Sequence, residues 1–240
     1  MPKLEPYDKK LSYSYALGVF PALNLLDNRR EVVQRLLLHP SGLGSEGILK
    51  LRERCAALGI REEEAERVLR RESKKDNCFA ALVFNKYEAT LSADQPHVVL
   101  CQIGDGGNLG TALRACLGFG FSDVAIIRPS VDAFDPHVLR ASMGAFFSMN
   151  VRVYECFGDY LAAFPKHELY LFMLNGATRL SEASKNRPAL FTLVFGNEQT
   201  GLPPTFAYLG TPVFIEQNNR IDSLNLAVSV SIGTYQFRER

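Results

Sequence analysis

No apolar stretch in this chain is long enough to span a bilayer; the longest runs, such as ALVF and VAII, are a few residues each. The opening MPKLEPYDKK has no apolar segment behind its basic residues, so no secretory leader is expected. The five cysteines (Cys55, Cys78, Cys101, Cys116, Cys156) are odd in number, scattered, and never spaced C-x-x-C. This excludes a disulfide framework or a cysteine zinc site and predicts free thiols in a reducing, cytoplasmic compartment. The four histidines (His39, His97, His137, His167) lack ligand spacing, so no metal is expected. Net charge is only +1, which gives no overall pull toward nucleic acid. The charge is unevenly placed, however: residues 1–90 hold 16 Lys/Arg against 13 Asp/Glu, and residues 91–240 hold 11 against 13. No fixed-period repeat or low-complexity tract appears.

What is present is enough apolar residue, 47%, for a sizeable core in 240 residues. In the first third, ALNLLDN reads as helix and VVQRLLLH as strand, ending at the turn HPSGLG. Ile48, Leu51, Cys55 and Leu58 recur at helical spacing, EEEAERVLRRE reads as a second helix, and ALVFNKYE as a β-rich close. LSADQP is the best linker, so one domain is expected over 1–92 and another over 93–240. Six strand candidates then follow at 97–103, 123–128, 151–155, 168–174, 190–195 and 211–215. Strands alternating with helices predict an α/β fold with a mostly parallel sheet, whose ligands sit beyond the strands' carboxyl ends.

Three segments follow strands there and carry unusual polar residues. GDGGNLGTALRACLGFG (104–120) has glycines for a sharp turn, Asn108 as a helix N-cap, and Arg114 off the apolar stripe. Gly104, Gly106 and Gly110 also fit a loose dinucleotide-binding pattern, with Arg128 placed for a 2′-phosphate; an NADP-dependent oxidoreductase is therefore a rival reading. LVFGNEQTGLPP (193–204) runs a strand into a tight loop presenting Glu198. In VFIEQNNRIDSLNLAVSVSIGTYQF (213–237), Ser223 is placed to cap a helix. Its predicted buried face is Leu224, Ala227, Val228, Ile232 and Tyr235, and its opposite face, Ser229, Ser231, Gly233 and Thr234, is small enough for a partner subunit.

Together these segments resemble the three motifs of the SpoU (TrmH) family of RNA ribose methyltransferases, in the SPOUT superfamily, over roughly residues 96–240. Asn108 and Arg114 match the first motif, Gly196, Glu198, Gly201 and Leu202 the second, and Ile215, Ser223, Leu224 and Asn225 the third. RASMGAFF (140–147) looks like the family's R-x-S-x-G-A segment. The resemblance implies a C-terminal trefoil knot, a homodimer, S-adenosylmethionine as cofactor, and methylation of a ribose 2′-hydroxyl in ribosomal or transfer RNA. A binding protein that keeps this fold without catalysis is the remaining alternative.

By the same resemblance Arg114 is the central catalytic residue, supported by Asn108, Glu198, Ser223 and Asn225, with Glu198 anchoring the arginine or its loop. An arginine, whose pKa exceeds ~12, suits clamping a phosphate and stabilising a developing alkoxide better than general base catalysis; phosphate, water or Arg114 itself then takes the proton. Asn175, Gly176, Gly196, Asn197, Gly201, Ile215 and Leu224 are the cofactor-binding candidates. Residues 1–92 resemble the family's small α/β RNA-binding extension, and Arg70, Arg71, Lys74, Lys75 and Arg140 are the candidate RNA contacts. Two departures from the family pattern stand out: Gly106-Gly107 where proline is common, and Ile215-Glu216-Gln217 in place of I-P-M. Glu216 puts a carboxylate near a cationic sulfonium.

Overall fold

The computed structural model describes residues 4–74, 77–185, 187–218 and 220–238; Lys75 lies outside them. In chain order the elements are β1 (Tyr13–Leu17), α1 (Val19–Asn28), β2 (Val33–Leu38), α2 (Glu46–Ala57), β3 (Arg61–Glu64), α3 (Glu66–Ser73) and β4 (Ala80–Asn85). After these come β5 (His97–Cys101), α4 (Gly106–Gly118), β6 (Asp123–Ile127), α5 (Pro136–Ala141), β7 (Asn150–Tyr154), α6 (Phe157–Ala163) and β8 (Glu168–Phe172). The chain ends with β9 (Thr178–Arg179), α7 (Leu180–Ala183), β10 (Phe191–Phe195), β11 (Thr211–Phe214) and α8 (Leu226–Phe237). Among the described residues no helix is long and apolar enough to cross a membrane, and no His/Cys/Asp/Glu group is placed to hold a metal ion.

Two compact units result: Met1–Tyr87 with Asp132–Ser148, and Glu88–Val131 with Met149–Arg240. The sequence suggests one crossing near residue 92, whereas the chain passes between units three times. Residues 132–148 join the first unit because of their aromatic side chains: Phe147 packs edge-on against Phe84 (5.3 Å), and Phe134 against Tyr87 (5.4 Å). Asp132 fixes the start of this segment by accepting from Tyr7 Oη (2.5 Å) and Lys86 Nζ (3.1 Å).

The first unit is a four-stranded sheet in the order β1-β4-β2-β3. β1 was not anticipated, and EEEAERVLRRE is not one helix. Its front part is β3, paired parallel to β2 at the sheet edge, and only Glu66–Ser73 is helical. Pairing overrides the helix propensity of glutamate here, because Arg52 and Arg35 neutralise Glu62 and Glu63 (2.7 and 3.2 Å) on the edge strand. Leu58, expected in the α2 stripe, lies just past the helix and is exposed.

The second unit is a seven-stranded sheet in the order β7-β6-β5-β10-β8-β11-β9, with every pair parallel. All residues of β5, β6 and β10 are buried, as expected of parallel strands covered on both faces. Helix α8 buries Leu226, Ala227, Val230, Gly233, Thr234 and Phe237. This bears out the predicted face in part: Ala227 is buried as expected, but Val228 and Tyr235 are exposed, while Gly233 and Thr234 pack within the chain. The cause is aromatic. Phe172 and Phe195 stack at 4.1 Å, and a Cβ at position 233 would sit 2.7–2.8 Å from their rings.

A buried polar chain runs along the strand starts. His97 Nε2 faces the Ser92 carbonyl (2.8 Å), and its Nδ1 faces Tyr160 Oη (3.0 Å). Tyr160 Oη in turn lies 2.6 Å from Thr192 Oγ1, which lies 2.9 Å from His167 Nδ1. A carbonyl only accepts, so His97 carries its proton on Nε2, Tyr160 donates to Nδ1, Thr192 to Tyr160, and His167 Nδ1 to Thr192. His167 Nε2 is buried and has no hydrogen-bond partner among the described residues. Burial, reinforced by neighbouring His167 and opposed by the Ser92 carbonyl and Asp123, pushes His97 down to about 4 from 6.5. The unfolded chain therefore takes up this proton first as pH falls. The contribution of neutral His97 is complete above about 6.5 and is lost progressively down to about 4, a change of about 3 kcal/mol. Urea denaturation at pH 7 and pH 4.5 should show this loss, and His97→Gln should flatten it while lowering stability at pH 7.

Candidate functional site

The connections diverge at the junction of β5 and β10. β5 continues through α4 to β6 on one side, whereas β10 continues to β11 beyond β8 on the other. Such a switch point opens a crevice at the carboxyl ends of the strands. Phe195 aligns with Leu100, Val194 with Leu171, and Val213 with Phe172, so residues 102–108, 173–176, 196–202 and 215–225 all start from the same sheet end.

Glu198 is the hub. Its carboxylate accepts from the backbone amides of Gly104 (3.0 Å) and Asp105 (3.1 Å), and from Nδ2 of Asn108 (3.2 Å) and of Asn197 (3.3 Å). Burial raises its pKa, but the amide donors of Gly104 and Asp105 and the side chain of Asn108 outweigh burial and hold the carboxyl below 4.5. Asn197 ties the loop together: its Nδ2 donates to the Gln102 carbonyl (2.7 Å), and its Oδ1 accepts from the amides of Gln199 (2.9 Å) and Thr200 (3.1 Å). Asn225 caps α8 by accepting from Ala227 N (2.9 Å), and its Nδ2 donates to Asn108 Oδ1 (2.9 Å). Asn225, Asn108 and Glu198 thus form one continuous chain that joins the three predicted segments.

Two assignments change. Asp105, not Asn108, caps α4, accepting from Asn108 N at 2.7 Å. Asn225, not Ser223, caps α8, and Ser223 is exposed with no hydrogen bond among the described residues. Of the two expected roles of Glu198, anchoring the arginine or the loop, the structure shows the loop, residues 104–108. Arg114 lies exposed on α4 with no hydrogen bond or ion pair among the described residues. Gln102 and Ser130 went unnoticed. Gln102 adopts a left-handed backbone (φ 58) that turns its carbonyl to Asn197, and Ser130 Oγ accepts from Ile103 N (2.9 Å). Neither residue type signals such a role in sequence.

Of the cofactor candidates, Gly176 and Gly196 are dictated by close chain passage. A Cβ at 176 would lie 2.6 Å from Val213 C, and one at 196 within 2.5 Å of the Gly201 carbonyl oxygen. Gly201 itself has φ 67. Asn175 is exposed, and Ile215 and Leu224 are half-buried. The dinucleotide reading fails on geometry: Gly106 and Gly110 are inside α4, and the Gly104 and Asp105 amides that would hold a phosphate already hold Glu198. Arg128 is paired with Glu155 (3.3 Å).

In the first unit, three of the candidate RNA contacts are already engaged within the chain. Arg70 pairs with Glu66 (3.0 Å) and Arg71 with Glu72 (2.6 Å), while Lys74 is exposed and Arg140 donates to the Ser73 carbonyl (3.0 Å).

Fold and site define an α/β protein with a hydrogen-bonded set of polar side chains gathered at the switch point of a parallel sheet. More particularly, the chain belongs to the SpoU rRNA Methylase family, whose model matches residues 95–235. A tRNA/rRNA methyltransferase of Synechocystis sp., itself uncharacterised, is 31% identical over 63% of this chain and 60% of its own length. The 23S rRNA (guanosine(2553)-2′-O)-methyltransferase of Bacillus subtilis is 28% identical over 66% of this chain and 64% of its own. This chain therefore spans less than two thirds of either relative. The SpoU methyltransferase AviRb from Streptomyces viridochromogenes, solved with AdoMet, shares the fold with a TM-score of 0.80 at 19% identity, covering 94% of this chain and 89% of that one.

Proposed function

We propose that this chain transfers a methyl group from S-adenosylmethionine to a ribose 2′-hydroxyl of ribosomal or transfer RNA. The observation that carries the reading is the Asn225–Asn108–Glu198 chain, at the switch point of a SpoU-family domain whose helix α4 also bears the exposed Arg114.

The strand ends suit the cofactor's chemistry. Leu174, Ile215 and Leu224 offer apolar surface for an adenine ring, and the close-packed turns at Asn175–Gly176 and Gly196–Asn197 offer backbone groups for its edge. Glu216, the carboxylate out of family pattern, is occupied by Arg179 at 3.4 Å. When bound, the cofactor supplies a methyl group on a positively charged sulfur. Arg114 holds an RNA phosphate and stabilises the charge developing on the ribose oxygen. Asn108 and Asn225 fix the start of α4 relative to α8, and the exposed Ser223 hydroxyl is available to orient the ribose.

The first unit is the RNA-binding extension in this reading. The second carries the trefoil knot, in which the tight passages at Gly176 and Gly196 favour a threaded chain. The exposed Val228 and Tyr235 on α8 provide apolar surface for a homodimer. Five free cysteines, four of them buried, suit a reducing cytoplasm.

Tritiated S-adenosylmethionine incubated with unmodified ribosomal and transfer RNA tests the proposal. A labelled dinucleotide that resists alkali, absent with Arg114→Ala, is expected. Cofactor binding without label would instead indicate a homologue that has lost catalysis, and no cofactor binding would overturn the reading.

A further inference from the structure

Phe20 is the only exposed phenylalanine or tyrosine among the described residues of the first unit, at 66% exposure; the others are buried or half-buried. It stands at the start of α1, and the 132–148 segment lies alongside. A Cβ on Gly144 would come within 2.9 Å of Asn24 Cβ and 3.1 Å of Pro21 Cα, so residues 143–144 press on the first turns of α1. Asn24 Nδ2 donates to the Phe20 carbonyl (3.3 Å), linking the same turn. Met143, 41% exposed, is held there in a left-handed conformation (φ 53) rather than turned into the core.

Cations flank this apolar pair. The Met143 amide donates to the Arg140 carbonyl, and Arg140 Nη1 donates to the carbonyl of Ser73, directly before Lys74. Arg140 spends one of its N–H donors there, and Lys74 is exposed with no side-chain partner among the described residues. The stripe formed by Phe20, Asn24, Met143, Arg140 and Lys74 has no carboxylate among these five side chains. In the same unit the buried ring of Phe147 packs edge-on against Phe84 (5.3 Å) and Phe146 (5.5 Å).

We infer that this stripe is a stacking platform for unpaired RNA bases: Phe20 and Met143 take the base faces while Lys74 and Arg140 hold adjacent phosphates. An aromatic face next to cations is the chemistry that binds single-stranded or splayed-out nucleotides, because every base offers a π-face and every linkage a negative charge. The platform identifies the part of the first unit that captures substrate and rests on the methyl-transfer reading.

The test is fluorescence anisotropy with fluorescein-labelled, unmodified ribosomal and transfer RNA transcripts, without cofactor, across a salt series. Phe20→Ala should weaken binding roughly ten-fold or more with the salt slope unchanged, and Phe20→Trp should restore it. Lys74→Ala should lower the slope by about 1. Both side chains are solvent-exposed, so thermal melts should match the parent. Parental RNA affinity in Phe20→Ala would overturn the platform. So would a Phe20→Ala effect that tracks a change in association state on size exclusion, since the face would then be a protein contact. Calorimetry with S-adenosylmethionine on the parent chain separates the two ideas: its failure falls on the methyl-transfer reading, whereas the anisotropy judges the platform.

Discussion

Gly196→Ala is expected to cost at least about 3 kcal/mol of stability, and the loss should be visible as reduced soluble yield and a lower urea midpoint. The added Cβ would meet main chain, not a movable side chain: Gly201 and Leu202 pass directly over position 196, with the Gly201 carbonyl oxygen at 2.5 Å. No rotamer change relieves such an overlap, so either β10 or the 197–201 turn must shift. The turn is pinned by Asn197, through its bonds to Gln199, Thr200 and the Gln102 carbonyl. Gly176→Ala belongs to the same class, because its Cβ would meet Val213 and Phe214 backbone at 2.6–2.8 Å. Gly44→Ala is the control. Nothing lies within 4 Å of a Cβ there, and its midpoint should stay within about 0.5 kcal/mol of the parent. Equal midpoints for Gly196→Ala and Gly44→Ala would show that the passage at 196 is not as tight as described.

Glu198→Ala and Glu198→Gln should both lower the proposed methyl transfer by about 100-fold, with little change in melting temperature. Four N–H groups converge on this carboxylate, two from main chain and two from asparagines. Glutamine keeps one oxygen but turns an NH2 toward the remaining donors, so the isosteric variant should fare little better than alanine. Stability is spared because Gly104 and Asp105 are exposed and water can replace the lost acceptor. Activity is not spared, because water does not fix Asn108 against Asn225. The carboxyl is held below 4.5, so whatever stability it contributes is present above that value and is lost only as pH falls through the lowered one. A pH profile from 5 to 8 should therefore show no inflection that disappears in Glu198→Gln. Near-parental turnover by Glu198→Gln would mean that the loop is held by something other than the carboxylate.

Much of the second unit could be read directly. Its strands are short apolar runs such as DVAII and FTLVF, which a parallel sheet buries on both faces, and the polar residues after them mark the carboxyl edge. The first unit was harder to read. REEE looks helical by composition and becomes strand only because β2 pairs with it and arginines neutralise it. Residues 132–148 lie in sequence amid the second unit, and only the packing of Phe134, Phe146 and Phe147 on Phe84 and Tyr87 places them in the first. The face of α8 was read only in part, with Ala227 buried as expected but Val228 and Tyr235 exposed, because periodicity gives spacing and not direction; the stacked pair Phe172 and Phe195 selects the glycine face.

The sequence by itself determined the α/β class, the three polar segments, and the residue types at the site, because strand hydrophobicity and turn chemistry are local properties. Only the tertiary structure decided which of those residues meet. Asn108, Glu198 and Asn225 are 27 to 117 positions apart, a separation that no local rule spans, and strand order alone brings their loops to one sheet edge. The same holds for roles. Whether an asparagine caps a helix or bridges two loops depends on which donors and acceptors the fold sets within about 3 Å of its amide.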